Sequence, residues 1–590
     1  MMPARYARLL LVLALPALLV LTLSPSARGH GGSYRGPTVP PPDTGPVPAP
    51  PPGTKMPRGG VTPRRRPAAT PALDVRLWET WWGFNKEEFL PIRGVIGQTG
   101  NMDGYGDRRA PTPEEIRAQV LPALTKLLAK SRDKDIRNSA ALAIGRIGDV
   151  REYRLLESYL DDKERTVIEA AILGLGLLRS PRAEKRLIDL ARNATRSARE
   201  RGFAMMALGY SGGDMAKAAL FESLGIPRPG GFSHRGRAAQ LETLRALAAG
   251  LASRSDLVAK GADVEPDPAT PHLVKGIRAG LVKERTFLPI ALSALGKTRD
   301  PAATKTVFSG LGHRKADVRA GAALAVGRVL RDANKKIFRR LAITLRSEGD
   351  LFPRRMLLIS LGRIGGDDAR NILRAESSHR DRQHVAFAAL ALAIADDGGA
   401  IPRFRGALET ARDASMKGAY AIALGILQDK DSIPIILKLL EKDRNPDVRA
   451  HLVEALTIMR ATTAVPVIEK LLIKTKSPNL QAACAQALGL MAPFASAQTM
   501  ITLLRSRRVT TVAQGALATG LGRMGDHRLV EPLLGFAKAD ANQDVARAFA
   551  ITALGILGEK NPSLPPFSRV AIDSHYELRI PVLDELRHLF

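Results

Sequence analysis

Between about residues 111 and 560, apolar residues recur three and four apart in short runs, each run ended by a cluster of polar residues. The runs come in pairs, and the second of each pair is rich in alanine and closes on A-L-G-x-x-G-D or a near variant. SAALAIGRIGD ends at Asp149, ISLGRIGGD at Asp367, YAIALGILQD at Asp429, ATGLGRMGD at Asp526 and ITALGILGE at Glu559. Aligned on a landmark glycine (Gly145, Gly327, Gly362, Gly425, Gly489, Gly522, Gly555), the units are spaced at about 32 residues, a period that marks stacked supersecondary units rather than one closed globule.

The first run of a unit often begins with proline at its second position, as in LPALTKLL from Leu121, IPIILKLL from Ile433 and VPVIEKLL from Val465. Proline suits a first helical turn, where its missing N–H has no partner to lose. Polar turns such as KDRNPD before Val448 then lead into the second run. The pattern predicts an all-α fold of helical hairpins, neither helix of which can bury its apolar stripe alone. An open stack of such units extends on the order of 120 Å at ordinary helix-packing distances.

These phrases and their spacing resemble the HEAT-repeat family, in the short variety found in phycobilisome lyases. The resemblance covers residues 111–560 and implies a right-handed α-solenoid of about 13 hairpins. It says little about function. The units falter between Gly209 and Gly296, where GIPRPGGFSHRGR and GADVEPDPATPH read as loops, so an irregular insertion is expected around 210–272 and offers a place for partner contacts.

Residues 72–110 hold all three tryptophans, Trp78, Trp81 and Trp82, beside Phe84 and Phe89. A solenoid must cover its exposed end units, and this cluster is expected to cap the first repeat, with ELRIPVLDELRHLF in residues 561–590 capping the last. Arg5 and Arg8, the apolar run Leu9–Leu23 and the small residues of Ala27-Arg28-Gly29 read as a signal peptide over 1–29, which implies an extracytoplasmic location, periplasmic or secreted. Residues 30–71 follow as a proline-rich basic tether containing Arg64-Arg65-Arg66. The amino-terminal HGGSYRGP stretch and the WWGFNKEEFL block are similar to exported bacterial HEAT-repeat proteins of unassigned role.

The formal charge is +30, and cleavage after Gly29 removes three arginines to leave +27. Such a field favours acidic partners, whether an acidic protein, an anionic envelope polymer or nucleic acid. Eight residues before the landmark glycine, or at the matching place in the repeat that lacks it, lies a column of cations: Arg137, Arg201, Arg319, Arg354, Lys417, Arg449 and Arg547. Asp135, Asp317 and Asp447 precede three of them by two residues. The column reads as a structural ladder of Arg–carboxylate bridges within and between repeats, with a basic binding stripe as the alternative.

Motifs that resemble catalytic ones sit in the wrong context. Gly209-Tyr210-Ser211-Gly212-Gly213 follows a helix instead of a strand, and Gly520-Leu521-Gly522-Arg523-Met524-Gly525 closes a helix that a dinucleotide motif would open. HEAT-repeat hydroxylases hold iron with His-Glu pairs, and no His-Glu dipeptide occurs here. The loop Asn101–Asp107 lacks the terminal bidentate acid of a calcium loop. The single Cys484 lies in a small-residue helix and reads as packing. The expectation is an exported, non-enzymatic scaffold without a cofactor or metal. It would bind a protein or an anionic envelope polymer, with a DNA-glycosylase-like nucleic-acid binder as first alternative and a bilin-lyase-like enzyme as second.

Overall fold

The computed structural model describes residues 76–86, 89, 110–225, 269–280, 287–330, 335–491, 494–506, 509 and 511–559. The signal peptide, the tether, Asn101–Asp107, most of the 210–272 insertion and the carboxy-terminal cap lie outside the described residues. A short helix α1 (Trp78–Asn85) precedes the repeats. The second helices of the repeats are α2 (Lys134–Ile147), α3 (Arg165–Leu178), α4 (Ala198–Ser211), α5 (Phe287–Lys297), α6 (Ala316–Val329) and α7 (Leu351–Ile364). They continue as α8 (Arg382–Ile394), α9 (Ala414–Ile426), α10 (Pro446–Ile458), α11 (Pro478–Met491), α12 (Thr511–Met524) and α13 (Asp544–Leu557). Each is paired with a first helix, such as Leu121–Lys130 or Ile433–Lys442, and every regular element among the described residues is helical.

The polar clusters do what their composition promises. Asp133, Asp350, Asp381, Asp413 and Asn445 cap second helices by accepting hydrogen bonds from first-turn backbone N–H groups. The acid of the recurrent phrase caps the start of the following unit: Asp149, Asp300 and Asp526 accept from the N–H two residues on.

The landmark glycines set the distance between units. A Cβ at Gly145 would lie 2.4 Å from Gly174 Cα, at Gly362 2.6 Å from the Ala391 carbonyl oxygen, and at Gly489 2.5 Å from Gly520 Cα. Real Cβ atoms do not approach backbone so closely, so these second helices touch main chain to main chain. The first helices are more widely spaced. Second helices therefore lie on the small radius of the curve and first helices on the large one.

This curvature overturns the expected open stack, because the last unit reaches the first. Helix α13 packs against α2 as closely as other neighbouring second helices pack. A Cβ on Gly555 would lie 3.0 Å from Ala143 Cα, and Arg146 Nη1 meets Glu559 Oε2 at 3.2 Å with both side chains buried. Between α4 and α5 the wall runs through the helices Asp214–Gly225 and Ala269–Gly280, which pack on each other. The solenoid is a closed ring. The seam repeats the internal contact, glycine against a small residue, with a buried ion pair added. A ring has no exposed end unit, which removes the physical reason for expecting a cap at either end.

Candidate functional site: the inner face of the ring

The tryptophan helix is the largest departure from expectation. Instead of covering the first repeat, α1 lies across α7 to α10, and the side chains that seat it stand on these second helices. Trp78 Nε1 donates to Ser415 Oγ at 2.8 Å, and its ring lies 4.8 Å from that of His451. Trp82 Nε1 donates to Glu454 Oε2 at 2.7 Å, and Lys86 Nζ donates to Glu454 Oε1 at 2.6 Å. The Trp81 ring meets Phe387 edge-on at 6.3 Å. Arg355 donates to the Arg76 carbonyl oxygen, and Gln383 Oε1 accepts from the Trp78 backbone N–H. All three indoles are buried. Gly418 is needed here, since a Cβ there would come within 3.0 Å of Trp78 and 2.6 Å of His451 Nδ1.

This seat is electrostatically tuned. Burial alone would raise the Glu454 carboxyl, but the Lys86 ammonium and the hydrogen bonds from Lys86 and Trp82 outweigh it and hold the acid below its usual range. Burial pushes His451 down, favouring the neutral ring. Beside α1 a cavity of about 760 Å³ opens between the inner faces of α9 to α12, lined by Asp447, Asn479, Gln486, Thr519 and Arg523 together with Trp82 and Lys86. Its wall sets alanines and an indole beside hydrogen-bonding groups and charges of both signs.

The cation column is mostly spent on structure. Arg137 forks onto Asp162, with Nη1 at 3.2 Å, and Arg319 onto Glu348 at 2.6 and 2.9 Å. Arg354 reaches Glu376 at 3.1 Å and Lys417 reaches Asp443 at 2.8 Å. Each of these acids lies in the turn of the following unit, so the bridge crosses between repeats. Arg137, Arg449 and Arg547 also donate Nε to a carbonyl at the end of their own first helix. Arg547 pairs with Asp540 and Asp544 in its own turn. Arg201 Nε is buried without a hydrogen-bond partner among the described residues. The aspartates two residues upstream are not the observed bridging partners. A helix residue two positions back points to another face, which is why that sequence coupling misled.

Sequence reasoning missed a second ladder on the outer side. Arg117, Arg374 and Arg405 of first helices pair with Asp149, Asp397 and Asp429, the acids that follow the next second helix. Arg374 and Arg405 stand 23 and 24 residues before their partners, a recurrence that could have revealed them. Arg354's partner, Glu376, also accepts from His384, with Nε2 at 2.6 Å, and burial drives the His384 pKa down to about 4.

The motifs resembling catalytic ones are accounted for by packing. Ser211 ends α4 and donates its hydroxyl to Glu184, and Gly520 and Gly522 press against neighbouring helices. Thr298 Oγ1 bonds the Leu295 carbonyl at 2.7 Å. Cys484 is buried, and burial pushes its thiol up to about 12. Among the described residues no helix is long and apolar enough to cross a membrane, and no three His, Cys, Asp or Glu side chains gather as a metal cluster.

The profile of HEAT repeats matches residues 112–176, 373–457 and 433–519. No curated protein matches the chain in sequence. Among solved structures, human deoxyhypusine hydroxylase aligns at 18% identity over 48% of this chain and 96% of its own, with a TM-score of 0.22. The CpcE–CpcF complex of phycocyanin lyase from Nostoc aligns at 17% identity over 56% and 99%, TM-score 0.26. Kap121p aligns at 11% identity over 79% and 56%, TM-score 0.32. The repeat phrases and the capped hairpins agree with the profile: residues 112–176 and 373–519 are HEAT repeats within an all-α solenoid.

Proposed function

We propose that this protein is an exported, non-enzymatic binding scaffold whose inner face holds a segment of a protein partner or an anionic envelope polymer. One observation carries the reading: α1 already lies on that face as a short aromatic helix. Its indoles are buried, and the N–H groups of Trp78 and Trp82 are met by Ser415 and Glu454. A surface that seats one helix by aromatic anchors and convergent polar groups has the character of a recognition groove. The adjoining cavity leaves room for more chain beside it. HEAT-repeat architecture supports a scaffold, and the basic excess supports an acidic partner.

The test is site-specific photocrosslinking in cells from Gln486, which faces the cavity, and from Glu409 on an outer helix. It is combined with fractionation and the mass of the mature amino terminus. The proposal expects a discrete extracytoplasmic adduct from Gln486 but not Glu409, on a chain that begins at His30. A chain that keeps its first residues in the cytosol, or a nucleic-acid adduct, contradicts it.

A further inference from the structure

The outer wall carries a surface unlike the rest of the ring. The first helix Lys335–Ser347 reads KKIFRRLAITLRS and contains five cations and no acid. Phe338, Leu341 and Leu345 are buried against the solenoid, while Lys335, Lys336, Arg339, Arg340 and Arg346 are exposed. Among these cations stands Ile343, 58% exposed and among the most exposed large apolar side chains described. Elsewhere arginines meet carboxylates across repeats, but Lys335, Lys336, Arg339 and Arg346 have no ion pair among the described residues. Arg340 lies over the Phe308 ring at 4.5 Å, which joins this helix to its neighbour Thr304–Leu311. That neighbour and its following turn add exposed Lys305 and Arg314.

Among the described residues, the acids flanking Lys335–Ser347 along the chain are committed or peripheral. Glu348 is held by Arg319, Asp350 caps α7, and Asp367 and Asp368 begin the next first helix on one flank only. The patch therefore presents several cations without an ion pair among the described residues, around one apolar tip on the convex side of the ring.

From this we infer that the outer helix Lys335–Ser347 docks the ring onto an anionic lipid surface. Convexity decides between occupants: a helix raised on the outside of a ring meets a plane along its whole exposed face, whereas a polymer chain is better held by a groove. The cations then lie at the level of phosphate headgroups and Ile343 enters the boundary beneath them. The inference is independent of the scaffold reading, since it uses none of the inner face.

The test is co-sedimentation of the mature chain with vesicles of phosphatidylcholine containing about one third phosphatidylglycerol, against phosphatidylcholine alone. Binding is expected only to the anionic vesicles, and to weaken as salt rises. Lys335→Gln, Lys336→Gln, Arg339→Gln and Arg346→Gln together should lower the partition coefficient roughly 100-fold or more, at about fivefold per cation. An equal loss of charge at Lys438, Lys442, Lys470 and Lys474, on other first helices, should lower it far less. Ile343→Ser should cost up to roughly tenfold. All these positions are exposed, and unchanged circular dichroism checks the fold. No binding to anionic vesicles, equal losses in the two four-site variants, or wild-type binding by the first of them would overturn the inference. The last outcome would place the contact elsewhere, such as Arg64–Arg66.

Discussion

Replacing Gly489 by valine is expected to destabilise the ring by about 3 kcal/mol or more, at the upper end of what overpacking costs. A single added carbon would sit 2.5 Å from both Gly520 Cα and its carbonyl oxygen, so main chain and not a flexible side chain must yield. In an open stack, units beyond the contact could swing away together. In a closed ring, widening one contact must be absorbed by the others or by opening the seam. Denaturant midpoint and protease resistance should both fall. Gly406→Ala is the informative contrast. Gly406 lies inside the first helix Ile401–Thr410, where an added Cβ meets nothing within 4 Å. It should stabilise by about 0.5–1 kcal/mol, through helix propensity alone. If both variants behaved alike, the landmark glycine would owe its place to something other than close approach.

The second large effect is expected at Trp82. Trp82→Ala removes a buried indole stacked 5.5 Å from Phe89 and takes one of two donors from Glu454, the other being Lys86 just after α1. Truncating a buried tryptophan costs about 3–5 kcal/mol. Here that loss falls on docking of α1, because an eight-residue helix has little stability of its own. The ring should stay folded while α1 detaches. All three tryptophans of the chain are in α1, so intrinsic fluorescence reports this seat and nothing else. Wild-type emission should be that of buried indoles, and Trp82→Ala should shift the remaining emission to longer wavelength with little change in far-ultraviolet circular dichroism. A blue-shifted emission that survives the substitution would mean that α1 is held by contacts other than these.

The sequence was informative where the interaction was local and repeated. Proline at the head of first helices, Asp or Asn before second helices and the glycine of A-L-G-x-x-G-D each have a short-range reason, and each recurs often enough to be recognised. Contacts between distant parts left fainter traces. Trp82 and Glu454 are 372 residues apart, and nothing near either one names the other. The aromatic cluster was legible as something buried, but not where. Ring closure arises from small rotations added over every unit, so no single unit declares it. One trace of it was present: the last repeat keeps its landmark Gly555, and the first keeps small, apolar Ala143 opposite. True end units would have carried polar outer faces. The cation column was visible by spacing, yet its partners came from the next unit's turn, where Asp162, Glu348, Glu376 and Asp443 share no fixed phrase.

The seam offers the most direct measurement of the whole account. Arg146→Cys and Glu559→Cys place two thiols where a buried ion pair now joins the first and last units, 413 residues apart in sequence. Cys484 is buried with its thiol pushed up to about 12, so it should not compete. The ion pair is made by the tips of two long side chains, so a short bifunctional thiol crosslinker, rather than a direct disulfide, spans the two thiols. With the dilute double variant it should give an intramolecular link within the monomer, read by gel mobility and by the mass of the linked peptides. Thiols left unlinked, or links formed only between molecules, would mean that the ends lie far apart and that the solenoid is open.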